Sequence, residues 1–273
     1  MKPSLLTVAR RAMTGETKIP RGATVLVAVS GGPDSMALFD VLAKLGPKIG
    51  FRVVGHGVDH GLRESARGEL DLAASHAKHL DVAFDRTRVR VARGGNLQAR
   101  AREARFDALT KAAERCGACA VATAHHADDR AETLLMRLLR GAGLRGLAVL
   151  PSRARIDEKK DRELLRPLLR ARRSDVVLHL ERHAIPFARD PSNDDPRFLR
   201  TRIRTEVLPM LERIDPRVVS HLEALADELV TTREASDRPR DTAFPLSRAT
   251  ETALRALVRS RAKSARIWLP GGL

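Results

Sequence analysis

Four short apolar runs, each followed by a stretch of helical spacing, limit what this chain can fold into more than any other feature. Thr24 to Val29 (TVLVAV) is a nearly continuous apolar run of the buried parallel-strand type, and Met36 to Leu45 behind it has helical spacing. Arg52 to Val58 predicts a second strand, Glu64 to Leu80 a helix, Val82 to Val89 a third strand and Asn96 to Arg115 a long helix. Ala118 to Ala124 and Asp129 to Arg140 form the fourth pair. Repeated units of this kind predict an α/β fold, an open and mostly parallel sheet with helices on both faces, in which ligands bind beyond the C-terminal ends of the strands.

Beyond Gly141 the pattern loosens. PSRARIDEKKDRE reads as a charged surface loop or hairpin, followed by ELLRPLL and a helix beginning near Ser174. After Pro216 the chain is helical over Val218 to Val230, breaks at SDRPRDTAFP, and is helical again to Lys263. This predicts a catalytic domain over residues 1–215 and a small, mainly helical domain over 216–273.

Charge decides the class of partner. The 50 Lys and Arg against 34 Asp and Glu leave a net charge of +16, which favours a polyanion. Half of that excess lies between Arg137 and Arg217. No apolar run approaches the ~20 residues that span a bilayer, and MKPSLLTVARRAM is too short in apolar residues for a signal peptide, so a membrane partner is not expected and the cytoplasm is. With 3% aromatics and no tyrosine, RNA contact should rest on phosphates and shape rather than base stacking. Cys116 and Cys119 form a C-x-x-C pair, read as two thiols at a helix end because two further ligands of a closed metal site are missing.

The chemistry is concentrated at two strand ends. V-S-G-G-P-D-S-M (29–36) joins the first strand to the first helix: Gly31 and Gly32 permit a tight turn, while Ser30, Ser35 and the helix N-terminus offer donors to phosphate oxygens. It lacks the lysine of the G-x-x-x-x-G-K-[ST] loop. The plainer alternative is a turn in which Asp34 caps the helix. At the end of the fourth strand stand His125, His126, Asp128 and Asp129. Asp129 with Glu132 three residues on would make a capping box, but a helix start needs only one of these side chains, which leaves His125, Asp128 and Asp129 as functional candidates. In R-F-L-R-T-R-I-R, Arg197, Arg200 and Arg204 fall at helical intervals, as on a phosphate-tracking face.

S-G-G-P-D-S after a strand resembles the signature of the N-type ATP pyrophosphatases, with an adenine nucleotide α-hydrolase-like fold. V-D-H-G-L-R-E-S (58–65), T-A-H-H-A-D-D-R-A-E-T (123–133), R-G-A-G-L-R-G-L (140–147), R-P-L-L (166–169) and D-P-S-N-D-D-P-R-F-L-R-T-R-I-R (190–204) then resemble, in order and spacing, the tRNA(Ile)-lysidine synthetases. Thr201 and Gly57 depart from that pattern, standing where the family usually has asparagine and histidine. The resemblance implies an ATP loop formed by Ser30, Gly31, Gly32, Pro33, Asp34 and Ser35. It implies ligation of free L-lysine to the wobble cytidine of isoleucine tRNA with a CAU anticodon, through an adenylated intermediate. Mg2+ would be held by the phosphates with Asp34 and Asp128 or Asp129; His125 or one of the Asp128 and Asp129 carboxylates would take a proton from the lysine amine; Arg200 and Arg204 would bind AMP or the anticodon backbone. The family also includes homodimers. The rival readings are tRNA 2-thiolation, disfavoured by Pro33 in place of lysine and by the position of the C-x-x-C pair, and a non-catalytic tRNA-binding relative, suggested by the short part ending at Leu269 to Leu273 and disfavoured by the intact loop.

Overall fold

Strand β1 (Thr24–Ala28) pairs in parallel with β2 (Arg52–Asp59) on one side and with β4 (Ala118–Ala122) on the other in the computed structural model, which describes residues 3–59, 61, 65–90, 97–157, 160–189 and 195–237. β3 (Phe84–Arg88) extends the sheet beyond β2; β6 (Lys160–Leu165) runs parallel to β4; β5 (Arg153–Asp157) closes the edge antiparallel to β6, so the order is β3-β2-β1-β4-β6-β5. The four expected strands are all present. The charged segment after Pro151 is a hairpin, but its second arm returns into the sheet as a fifth parallel strand. Sequence patterning missed this because only Leu164 and Leu165 of that arm are apolar.

Side-chain alternation along the strands makes two cores. Val25, Val27, Ala120, Ala122 and Leu165 face one that includes helix α2 (Pro33–Ile49), Ala73 and Ala77 of α3 (Ser65–His79), and Val176 and Leu180 of α7 (Arg173–Arg182). Leu26, Val121 and Leu164 face the other, with Leu109, Ala112 and Ala113 of α4 (Leu97–Arg115). Helices therefore cover both faces.

Helix α2 is apolar nearly all round, and Met36 to Phe39, Val41 and Leu42 have no exposed surface, the mark of a helix packed on several sides. Part of its cover is α1 (Leu5–Thr14), whose Leu5, Val8, Ala9 and Met13 make one apolar stripe and whose start is capped by Ser4, which accepts from the Thr7 N–H. One of its charges, Asp40, is buried. The buried Asp40 carboxylate lies 2.8 Å from His179 Nε2, 2.8 Å from Lys44 Nζ and 3.3 Å from His76 Nε2, pinning α7 and α3 to the central helix.

The chain divides into two units, Met1–Arg233 and Glu234–Leu273. Within the first, Ala226 and Leu229 of α10 (Val218–Asp237) pack with Leu134 of α5 (Ala127–Leu139) and with Leu147 of α6 (Leu144–Leu147). Arg130, 1% exposed, donates from Nη1 to Asp227 at 2.5 Å and from Nε to the Val149 carbonyl at 3.2 Å. The helix expected up to Lys263 and the Leu269 to Leu273 segment lie outside the described residues. No helix among the described residues is long and apolar enough to cross a membrane.

Candidate active site

The strand order reverses at β1 and β4, and the crevice at their C-terminal ends is where an open sheet of this type binds ligands. The 30–35 loop leaves β1 there. Gly31 sits at φ +84°, and a Cβ on it would lie 2.4 Å from the Glu69 carbonyl oxygen, so both conformation and space demand glycine. Its own carbonyl accepts from the Ala188 N–H at 2.9 Å. Ser35 Oγ donates to the Gly32 carbonyl (2.9 Å) and accepts from the Ser30 N–H (3.1 Å), closing the loop into a ring. Pro33 takes the first helical position, where a missing N–H costs nothing, and the first-turn N–H groups of Asp34 and Ser35 have no intrahelical acceptor. Gly32 occupies the N-cap position and no side chain caps α2, so the capping alternative for Asp34 does not hold; its carboxylate is 31% exposed at the loop.

The second cluster follows β4. Helix α5 starts two residues earlier than expected, and the capping box is built differently from the Asp129–Glu132 reading: His126 is the N-cap, its Nδ1 accepting from the Asp129 N–H at 3.3 Å while the Asp129 carboxylate accepts from the His126 N–H at 3.1 Å. Residue spacing cannot distinguish these alternatives because a histidine is an unusual cap. His126 Nε2 lies 3.6 Å from Asp34 Oδ1 and 3.5 Å from Asp129 Oδ2, so a residue left out of the candidate set joins the loop to the rim. Burial pushes this imidazole down, but Asp34 and Asp129 outweigh it and raise it. His125 is 3.0 Å from Thr123 Oγ1. Burial lowers its pKa to about 3, with Arg166, Arg105 and Arg200 adding to the effect and Asp129 opposing it.

Arginines occupy the carboxylates of α5. Glu132, fully buried, accepts from Arg200 Nε (2.8 Å), Arg204 Nε (2.7 Å) and Arg204 Nη2 (2.9 Å); Arg200 Nη2 also reaches Asp129 Oδ1 at 2.7 Å. Asp128 is gripped by Arg172, Nη2 at 2.8 Å and Nε at 3.1 Å, and by the Arg173 N–H at 2.7 Å. The three arginines expected on one phosphate-tracking face are thereby divided between two surroundings. Arg200, in the short helix α8 (Leu199–Arg202), and Arg204, in the π-helical turn Ile203–Val207, turn inward to Glu132, whereas Arg197 precedes α8, is 87% exposed and pairs with Asp195 at 2.7 Å. Helical intervals place side chains on one side but do not say what that side meets. Arg105, which the sequence did not single out, and Arg166, quoted in R-P-L-L without a role, bury Nε atoms that make no hydrogen bond, and burial lowers both pKa values, Arg166 to about 10. His60, residues 62–64 and residues 190–194 of the quoted motifs lie outside the described residues. Cys116 and Cys119 are free thiols, the first just beyond α4 and the second in β4.

A parallel sheet with a glycine loop feeding its central helix, and a charged rim beside it, define a PP-loop nucleotide-binding protein. The family model described as the PP-loop domain matches residues 6–211. Two curated tRNA(Ile)-lysidine synthases are similar to this chain. That of Salinispora arenicola is 39% identical over 240 residues, covering 87% of this chain and 71% of the relative, and that of Novosphingobium aromaticivorans is 46% identical over 180 residues, covering 66% and 54%. The chain belongs to the tRNA(Ile)-lysidine synthase family, and its PP-loop domain implies use of ATP. It spans about half the length of the Novosphingobium relative. Among solved structures, the U34-tRNA thiolase NcsA from Methanococcus maripaludis with its [4Fe-4S] cluster has a TM-score of 0.68 at 17% identity, covering 82% of this chain and 78% of that one, a likeness of fold.

Proposed function

We propose that this chain is the ligase its family names: it uses ATP to activate the wobble cytidine of isoleucine tRNA with a CAU anticodon and joins free L-lysine to it in the cytoplasm. The cytidine C2 carbonyl oxygen attacks the α-phosphorus and pyrophosphate leaves; the lysine ε-amine then attacks C2, AMP leaves, and lysidine remains. The observation that carries this reading is the 3.6 Å approach of Asp34 to His126, which brings the phosphate loop and the β4 rim into one site.

The loop supplies donors at a helix N-terminus for the phosphates, where preorganised dipoles stabilise developing charge. Asp34, partly exposed and not used as a cap, is the carboxylate that fits a magnesium ion, which would neutralise phosphate charge when bound. Asp128 fits less well, held as it is by Arg172 and the Arg173 N–H. Arg200 links Glu132 and Asp129 and faces His125, so it orders the rim at which the amine arrives. Free lysine carries a charged ε-amine with pKa near ~10.4 and must lose a proton before attack. The Asp129 carboxylate and neutral His125 are the acceptors in place; burial holds His125 low, and an anionic nucleotide would offset only the arginines that add to it.

The test is incubation of the purified chain with unmodified isoleucine tRNA of CAU anticodon, α-labelled ATP and lysine. AMP release and lysine incorporation that depend on all three, and that Asp34→Ala abolishes, would establish the reading. AMP formed with tRNA but without lysine incorporation would leave adenylation and move the assignment to sulfur donation. No AMP with any tRNA would sink it in favour of binding alone.

A further inference from the structure

One donor at the junction of loop and rim makes no close hydrogen bond. His126 has no exposed surface, and its Nε2 makes no hydrogen bond, although buried polar atoms in native proteins are nearly always paired. It faces two carboxylate oxygens at slightly more than bonding distance, Asp34 Oδ1 at 3.6 Å and Asp129 Oδ2 at 3.5 Å. Its other nitrogen is committed: Nδ1 accepts from the Asp129 N–H and lies 3.6 Å from Asp128 Oδ2. A neutral ring that caps through Nδ1 as an acceptor carries its hydrogen on Nε2. Nε2–H is thus a donor with the Asp34 and Asp129 carboxylate oxygens within 3.6 Å of its nitrogen. A cap alone would not call for this residue, since Asn, Asp, Ser or Thr caps a helix better.

We propose that His126 is a positioning residue of the nucleotide loop: its Nε2–H holds the Asp34 carboxylate from the α5 side, so that Asp34 meets the phosphates in one orientation. The proposal rests on reading residues 30–35 as the ATP loop.

Two substitutions separate the two ends of the ring. His126→Asn keeps an acceptor near the Nδ1 position and has no atom at Nε2; His126→Gln places an amide N–H near Nε2 and loses the cap. ATP binding with magnesium is measured by equilibrium dialysis on the full chain, alongside thermal melting, for both variants, for Asp34→Asn and for the double variant His126→Asn/Asp34→Asn. His126→Asn is expected to melt within about 2 °C of the unaltered chain and to bind ATP about tenfold more weakly. His126→Gln is expected to melt lower yet to recover affinity to within about threefold. In the Asp34→Asn background His126→Asn should cost nothing further, because the two residues act as one unit. Undiminished binding in His126→Asn, an equal loss in the Asp34→Asn background, or losses that track melting temperature across the set would each overturn the proposal. An unaltered chain that binds no ATP removes the loop reading and the proposal with it. One that binds ATP but makes no lysine-dependent AMP removes only the assigned reaction, and the dialysis values still decide the role of His126.

Discussion

Arg172 grips Asp128 through two nitrogens, Nη2 at 2.8 Å and Nε at 3.1 Å from Oδ1, and so ties the start of α7 to the start of α5. Burial alone would raise the Asp128 carboxyl, but Arg172 and the Arg173 N–H more than reverse it and hold it below the usual carboxylate range. Asp128 is largely buried, and without it Arg172 keeps only Glu212 among the described residues, 2.6 Å from its Nη2. Asp128→Asn should cost about 2–4 kcal/mol of stability and lower the melting temperature by roughly 5–10 °C. ATP affinity at low temperature should survive. A normal melt with lost ATP affinity would return Asp128 to the magnesium site.

The two glycines of the loop should respond differently to alanine. Gly31→Ala meets both a left-handed φ and the Glu69 carbonyl, an immovable backbone atom, and should abolish measurable ATP binding in a dialysis assay at a cost to the fold of about 2 kcal/mol or more. Gly32→Ala meets only Ser30 Oγ at 3.6 Å, an ordinary contact. It should melt like the unaltered chain. Equal losses of stability in both would contradict the loop geometry.

Asp40 should govern acid unfolding of the central helix. Burial works to raise its pKa from 3.8, but His179, His76 and Lys44 lower it far below. A carboxylate depressed in the folded state stabilises fully above its unfolded pKa and loses that contribution as pH falls through the folded value. Stability from this group is therefore complete above about pH 4 and declines below it. Asp40→Asn should cost about 3–5 kcal/mol at pH 7 and flatten the acid limb, as read by urea denaturation between pH 2 and 7. An unchanged acid limb would show that other carboxylates control it.

Glu223 of α10 should act with the opposite sign. Burial raises its pKa from 4.5 to about 7, Arg170 and Arg130 only partly offsetting this, and its Oε1 is buried without a hydrogen bond, 4.0 Å from Arg170 Nη1. Between these two values the folded chain holds a proton that the unfolded chain has lost, so stability falls as pH rises from about 4.5 to 7 and is level above. Glu223→Gln should remove that slope and stabilise the chain at pH 8 by about 1–3 kcal/mol. A variant that is less stable at pH 8 would mean that the Arg170 pairing outweighs the burial.

Local patterning determined the architecture because each βα unit carries its own periodicity: TVLVAV and ACAVATA are apolar on both faces and must be buried in a parallel sheet. It determined the 30–35 loop as well, since adjacent glycines before a helix mean a backbone turn wherever they fold. It missed α1, whose apolar stripe was judged only against the length of a signal peptide, and it missed β6, where charge masks two buried leucines. What only the tertiary structure decided is which charges meet. Glu132 and Arg204 are 72 residues apart and Asp128 and Arg172 are 44 apart, so no spacing rule connects them; packing does, by bringing the ends of α5, α7 and the 199–207 segment together. The same packing turned arginines that suited an RNA backbone toward a buried carboxylate. It also made a cap of His126, whose ring accepts from the Asp129 N–H while its own backbone N–H donates to the Asp129 carboxylate.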